Sequence, residues 1–199
     1  MAITFDDGLA SVAHTAVPLL VERGLTATVF CVAGYLGSTT DWPTHRAGTP
    51  ILPLAGAREL EELVRAGFEI GSHGMEHAPL VGSDHAQLRR EVIGSRDALE
   101  QVVGVPVPSF AFPYGAGPSE AARSLVRETY SAACSARLGY VRRDADLFAL
   151  PRVDAHYVRR PQLLRGALDG SLTTYLTARR VAARARRLVR RDYDLIGNG

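Results

Sequence analysis

The fold is decided by residues 67–77, Gly67-Phe68-Glu69-Ile70-Gly71-Ser72-His73-Gly74-Met75-Glu76-His77. Gly67 ends a helical pattern over residues 57–66, and residues 68–72 then form a largely apolar run that predicts a short strand. His73 and His77 follow that strand directly. A helix, a strand and then polar residues at the end of the strand indicate an α/β unit.

The same alternation continues along the chain. Strands are predicted at residues 2–5, 26–33, 68–72, 109–112 and 131–135, with one more inside 147–158, and helices at residues 15–22, 57–66, 84–103, 118–129, 161–169 and 172–191. This order predicts parallel strands in a barrel or an open sheet, with ligands at the carboxyl ends of the strands. Within the helix at 84–103, Asp84 is the expected cap, and Leu88, Val92 and Leu99 mark the inner face. Residues 36–56 form a long loop rich in Gly, Pro and Thr, and such loops are usually functional or disordered.

Length and composition indicate one globular domain over residues 1–199. The 199 residues are 46% apolar and 22% charged, which excludes fibrous and disordered classes. No apolar run is long enough to cross a bilayer. The N-terminus has no signal-peptide pattern, which predicts a cytoplasmic protein, although residues upstream of Met1 are possible because the first motif starts so early.

The C-terminal part is strongly basic. Residues 178–191 carry seven Arg and no acid, which leaves 16 basic and 21 acidic residues in the rest of the chain. The favoured interpretation is a helix at about 172–191 that packs on the domain with a solvated Arg face. Contact with an anionic membrane or a phosphorylated, lipid-linked glycan is the less favoured alternative. Nucleic-acid binding is not expected, and the oligomeric state is not predicted.

Two strand ends carry candidate metal ligands. In Thr4-Phe5-Asp6-Asp7-Gly8, adjacent carboxylates repel each other, so a divalent cation is a natural partner, although the motif also suits a simple turn. His73 and His77 are four residues apart and reach one metal if the chain turns once between them. Two imidazoles and one carboxylate make a three-ligand set with a position open for water. Unrelated loop histidines are the alternative.

A third strand end is Phe110-Ala111-Phe112-Pro113-Tyr114-Gly115. Pro113 and Gly115 predict an abrupt turn that directs the amide of Tyr114 into the cleft. The alternative is an ordinary exit from a strand with a packed aromatic ring.

Together these motifs resemble the polysaccharide deacetylase family, also called the NodB-homology domain or carbohydrate esterase family 4. The resemblance runs in order from Thr4 to about Asp154 and includes Thr-Phe-Asp-Asp-Gly, Ser-His-x-x-x-His and Phe-Ala-Phe-Pro-Tyr-Gly. It implies an irregular, incomplete (β/α) barrel, a distorted TIM-like fold. It also implies a metal-dependent hydrolase that removes an N-acetyl group from a polysaccharide, a lipid-linked glycan or a biosynthetic aminosugar.

The resemblance assigns roles to six residues. Asp6 is expected to be the general base, Asp7, His73 and His77 the metal ligands, and the amide of Tyr114 an oxyanion donor, with Pro113 and Tyr114 also contacting substrate. Zinc suits this donor set, and cobalt, nickel or manganese are alternatives. An O-acetyl esterase, an amidohydrolase acting on cyclic amides and a non-catalytic glycan-binding protein are the alternative functions.

The chain departs from the family at two positions. Many members have an Arg, which braces the base, where this chain has Ala111; Arg152 in Leu150-Pro151-Arg152-Val153-Asp154 is either the replacement or part of a surface salt bridge. Many members also end with a Leu-x-x-His motif that supplies the acid for the leaving group, and this motif is missing. The acid is therefore unassigned. His45 in the long loop is a candidate, and His156 is not favoured.

Overall fold

Six parallel strands form one sheet in chain order. The computed structural model describes residues 1–115 and 119–189. The strands are β1 (Thr4–Phe5), β2 (Thr28–Cys31), β3 (Glu69–Ser72), β4 (Ser109–Ala111), β5 (Ala132–Leu138) and β6 (Leu150–Arg152). Each strand pairs with its sequence neighbour, so β1 and β6 lie at the two ends of the strand order. The predicted alternation of strands and helices is confirmed.

The sheet curls into an incomplete barrel. A guanidinium nitrogen of Arg152 on β6 donates to the hydroxyl of Thr4 on β1 at 3.2 Å. One side chain can join the first and last strands only if the sheet curves back on itself. The register between β5 and β6 shifts between Cys134 and Leu138, which makes the curvature irregular. The predicted irregular, incomplete (β/α) barrel is therefore confirmed.

Helices connect the strands. The α-helices are α1 (Val17–Val21), α2 (Ala57–Arg65), α3 (His85–Arg89), α4 (Ser95–Val103), α5 (Glu120–Thr129), α6 (Pro161–Leu168) and α7 (Thr173–Val189). One-turn π-helices lie at Val12–Ala16 and Arg90–Gly94. No helix in the described part of the chain has both the length and the apolar character of a membrane span.

Several predicted boundaries change. The helix predicted over residues 84–103 begins after Asp84, whose carboxylate accepts the backbone N–H of Gln87 at 2.8 Å, but a π-turn interrupts it. The helix predicted from Pro118 begins instead at Glu120, with Ser119 as the cap, and Pro118 lies outside the described residues. Strand β5 continues three residues past its predicted end at Ser135. The basic helix is described to Val189, so positions 190 and 191 of the prediction lie outside the described residues.

The core fills the space between the sheet and its helices. Val29, Ile70 and Phe110 come from the sheet, and Val92 and Leu99 come from the segment predicted as one amphipathic helix; all are at most 2% exposed. Leu88, at 3% exposed, lies on the same face. This packing fixes the strands, and their carboxyl ends then carry the polar residues described next.

Candidate metal centre

Asp7, His73 and His77 form one compact donor group. Oδ1 of Asp7 lies 3.4 Å from Nε2 of His73 and 3.3 Å from Nε2 of His77. One ligand atom from each of the three residues lies within 4.8 Å of the other two. Nitrogen and oxygen donors about 2.1 Å from a tetrahedral zinc ion lie about 3.4 Å from each other. The spacing and the donor types therefore fit a divalent metal ion.

Hydrogen bonds fix both imidazoles with Nε2 towards Asp7. Nδ1 of His73 donates to the carbonyl oxygen of Ala111 at 2.7 Å, because that oxygen can only accept. Nδ1 of His77 lies 2.9 Å from the hydroxyl of Tyr114. A histidine that ligates a metal usually donates its other ring N–H in this way. Ala111 thus serves the site through its backbone oxygen.

The backbone bends sharply at the donor group. Among residues 1–115 and 119–189, the non-glycine residues with positive φ are Asp7 at 71°, His77 at 53° and Tyr114 at 58°. The left-handed region is unfavourable for residues with a Cβ, and such residues tend to cluster at functional sites. All three lie just beyond strands β1, β3 and β4. The turns aim polar groups from separate strands at one point.

Asp6 lies beside the donor group and is held by Arg152. The two guanidinium nitrogens Nη1 and Nη2 donate to the two carboxylate oxygens at 2.6 and 2.8 Å. Burial alone would raise the pKa of Asp6, but the charge of His73 and the hydrogen bond and charge of Arg152 together lower the pKa below its usual value. Asp6 is therefore a carboxylate near neutral pH. The structure thus brings Arg152 to the base candidate rather than to a surface acid.

The long loop at 36–56 covers one side of His77. The ring of Trp42, which is 5% exposed, lies on the imidazole with centroids 4.2 Å apart. Three hydrogen bonds form a closed path: His77 Nδ1 donates to the Tyr114 hydroxyl, that hydroxyl lies 2.6 Å from Thr44 Oγ1, and Thr44 donates to the backbone oxygen of His77 at 3.0 Å. The loop therefore helps to orient a metal-ligand candidate.

Sequence reasoning missed Trp42, Thr44 and the phenol of Tyr114. It gave Tyr114 an amide donor and a contact with substrate, whereas the side chain bonds to His77. The available signal was weak: Trp42 is the single Trp of the chain and lies in a long polar loop. The ring of Pro113 is less than 2% exposed, and the expected contact of this residue with substrate stays a prediction.

Two other histidines are tied to their own loops. The ring of His45 bonds to the hydroxyl of Thr49 at 2.9 Å. The exposed ring of His156 lies edge-on against Tyr157 with centroids 5.5 Å apart. Neither contact directs a ring at Asp6 or Asp7, so the structure assigns the role of leaving-group acid to neither histidine.

The electrostatics suit metal binding and an accessible substrate. Burial lowers the pKa of His77, although a hydrogen bond to Asp7 acts in the opposite direction, so the imidazole is neutral at physiological pH. A neutral imidazole is the form that ligates metals. The side chains of Asp6 and Asp7 remain 34% and 33% exposed, whereas that of His73 is 3% exposed. The carboxylates therefore face the open side of the site.

Comparison with known proteins identifies the family of this chain. The sequence profile of the polysaccharide deacetylase family matches residues 1–133. YxkH of Bacillus subtilis, assigned by name to the polysaccharide deacetylases, is 24% identical over 151 residues, which are 76% of this chain and 50% of YxkH. This chain therefore spans half the length of that curated relative.

Solved structures show the same fold. IcaB from Ammonifex degensii aligns with a TM-score of 0.65 at 21% identity, over 81% of this chain and 68% of IcaB. The deacetylase PplD of Streptococcus pyogenes, solved in complex with acetate, aligns with a TM-score of 0.64 at 20% identity, over 76% of this chain and 62% of PplD. The profile match over two thirds of the sequence shows that this chain belongs to the polysaccharide deacetylase family.

Proposed function

We propose that this chain is a metal-dependent hydrolase that removes the N-acetyl group from an acetylated sugar, with Asp7, His73 and His77 holding one zinc ion. One observation carries the proposal: a carboxylate braced by an arginine lies directly beside a compact Asp-His-His donor group. A carboxylate outside the donor group but next to it suits metal-dependent hydrolysis of an amide, since the base must lie beside the activated water.

The residues divide the chemistry between them. A divalent cation bound at this site would polarise the acetyl carbonyl and lower the pKa of a water molecule. Asp6 then takes the proton from the attacking water, because each of its oxygens keeps a second lone pair beyond the bond to Arg152. The C–N bond of the acetamide breaks as the departing amine takes up a proton, which Asp6 returns or solvent water supplies. The amide of Tyr114 donates to the oxygen on which charge develops, and loss of one such donor typically costs about 100-fold in rate.

The substrate class follows from the family and from the site. The carboxylates lie on the accessible side of the site. An acetyl group on a polysaccharide or on a small glycan can therefore reach them. The family to which the chain belongs is named for polysaccharides. An N-acetylated glycan is therefore the proposed substrate, whether polymeric, lipid-linked or small.

The test measures metal and activity on the same samples. Purified wild type and His73→Ala are compared for zinc content and for acetate release from N-acetylated sugars of one to five residues. Asn replaces Asp6 in a third sample, because Asp6→Asn keeps the metal ligands and removes the base. We expect about one zinc per chain in the wild type, metal and acetate release both lost in His73→Ala, and only acetate release lost in Asp6→Asn.

Other outcomes redirect or end the proposal. Zinc binding without acetate release would direct the search to O-acetyl esters and cyclic amides. Failure of the reconstituted wild type to bind any divalent metal would overturn the proposal and favour a glycan-binding protein. Acetate release that survives Asp6→Asn would remove Asp6 from the role of base.

A further inference from the structure

A buried carboxylate lies behind the loop that carries both histidines. Glu91 is 1% exposed and lies in the π-turn Arg90–Gly94 between α3 and α4. A buried carboxylate is costly unless hydrogen bonds compensate its charge. Single π-turns inside helices occur frequently at functional sites. The burial of Glu91 therefore needs compensating contacts, and none of the catalytic roles proposed above uses this residue.

The carboxylate bonds to the backbone between the two histidines. Oε2 of Glu91 accepts the backbone N–H of Met75 at 2.8 Å and that of Glu76 at 3.2 Å. Gly74 has a φ of +86°, and a Cβ at this position would lie 2.7 Å from the same oxygen. A side chain at position 74 would therefore displace the Glu91 carboxylate, and the positive φ also favours glycine there.

Two buried serines fix the start of the same loop. Ser72 accepts the backbone N–H of Gly74 at 3.2 Å, and its hydroxyl lies 2.7 Å from that of Ser95. Ser95 in turn donates to the backbone oxygen of Glu91. Glu91 and the two serines thus connect three backbone amides of residues 74–76 to one helical segment.

We propose that Glu91 is a positioning residue, which fixes the backbone between His73 and His77 so that both imidazoles reach one metal ion. The inference rests on the proposed metal site and deepens it. His77 follows the fixed segment directly and has a left-handed φ of 53°. Without the carboxylate, the amides of Met75 and Glu76 lose their acceptor and the loop relaxes towards a lower-energy path. The imidazole of His77 then no longer lies where Asp7 and His73 place the metal.

A second glutamate offers a matched control. Oε1 of Glu100 accepts the backbone N–H of Val107 at 3.0 Å, so it too holds a neighbouring loop through a backbone amide. That loop precedes β4 and carries none of the metal-ligand candidates. A role in folding alone predicts similar effects for Glu91→Ala and Glu100→Ala. A positioning role predicts that only Glu91→Ala changes metal affinity.

The main experiment measures the zinc dissociation constant by competition with a chelating dye, together with the melting temperature of the metal-free protein. We expect Glu91→Ala to raise the dissociation constant about 10- to 100-fold, as is typical for partners of metal ligands. Glu91→Gln should stay within about threefold of the wild type, because both amides bind one oxygen that a side-chain carbonyl can replace. Glu100→Ala should lower the melting temperature and leave zinc affinity unchanged.

Two further measurements keep the inference separate from the proposed function. If Glu91→Ala does not fold, Glu91→Asp replaces it, because a carboxylate shorter by one methylene cannot reach both amides and should also weaken zinc binding. Hydrogen exchange in the metal-free protein tests the contact itself: the amides of Met75 and Glu76 should exchange faster in the variant. Unchanged exchange, or zinc affinity within about twofold of the wild type in the Ala or Asp variant, overturns the inference. A wild type that binds no zinc overturns the proposed function instead.

Discussion

Arg152 at the end of the last strand holds Asp6 at the end of the first. Its Nη1 and Nη2 donate to Oδ1 and Oδ2 of Asp6 at 2.6 and 2.8 Å, and Nη1 also donates to Thr4 at 3.2 Å. Two parallel bonds fix the plane of a carboxylate as well as its position. Because β1 and β6 do not pair, this one side chain both joins the two edges of the sheet and orients the base candidate.

Replacement of Arg152 should impair catalysis while the metal stays bound. We expect Arg152→Ala to reduce the rate of acetate release about 100-fold, because displacing a catalytic group by about 1 Å can lower a rate by about that factor. Arg152→Lys should recover part of the loss, because lysine keeps the charge but cannot form the two parallel bonds. The measurement is kcat/KM for acetate release, with zinc content determined on the same samples.

The control for this prediction is Arg127→Ala. Arg127 donates to Asp146 at 2.8 Å in a surface pair that lies outside the donor group. Surface pairs of this kind contribute about 0–1 kcal/mol to stability. Activity should therefore be unchanged in Arg127→Ala. Full activity in Arg152→Ala would show that the base needs no brace.

The phenol of Tyr114 should matter for metal affinity rather than for folding. Tyr114→Phe removes the acceptor for His77 Nδ1 and opens the hydrogen-bonded path through Thr44. We expect the zinc dissociation constant to rise about 10- to 100-fold. The amide of Tyr114 is retained, so the residual rate at saturating zinc should remain within about tenfold of the wild type.

Tyr140→Phe is the matched control, since Tyr140, in the loop after β5, donates to the backbone oxygen of Gly166 in α6 at 3.4 Å. Zinc affinity should be the same as in the wild type. Equal zinc affinity in Tyr114→Phe and the wild type would mean that Trp42 and the backbone suffice to orient His77.

The candidate site could be predicted from sequence where local pattern and topology act together. Asp6, Asp7, His73 and His77 each follow a predicted strand, and parallel strands place their carboxyl ends at one edge. The structure brings these four residues together at that edge. The order of strands and helices followed from the same alternation, which left a barrel and an open sheet as alternatives. The family resemblance, and not the alternation, implied the incomplete barrel.

The remaining parts of the site depend on distant contacts that no local pattern encodes. Trp42 reaches His77 through the path of a long loop, and Glu91 reaches Met75 from a helical segment whose apolar spacing resembles that of an uninterrupted helix. The sequence leaves two interpretations of Arg152, a brace for the base or part of a surface salt bridge, because its partner Asp6 lies 146 positions away in the sequence. Curvature of the sheet decides that contact, and sequence periodicity does not describe curvature.

The cap at Asp84 allows a test that is independent of the metal. Asp84→Ala removes the acceptor for the N–H of Gln87 at the start of α3. Loss of such a cap typically lowers the free energy of unfolding by about 1 kcal/mol. Urea denaturation measures the change, and Asp97→Ala, which removes an exposed carboxylate paired with Arg96, should cost less. A larger loss for Asp97→Ala would contradict the assigned cap.

Zinc should stabilise the folded chain through the donor group alone. A ligand that binds only the folded state at about 100 times its dissociation constant raises the free energy of unfolding by about 2.7 kcal/mol. The donor atoms come from strand ends 66 or more residues apart in sequence, Asp7 at β1 and His73 and His77 after β3, so the unfolded chain cannot assemble the same site. We therefore expect zinc to raise the melting temperature of the wild type and a chelator to reverse the change.

His77→Ala should show no zinc-dependent change, whereas His45→Ala, which alters a histidine bonded within its own loop, should respond like the wild type. An equal response to zinc in His77→Ala and the wild type would place the bound ion elsewhere on the chain.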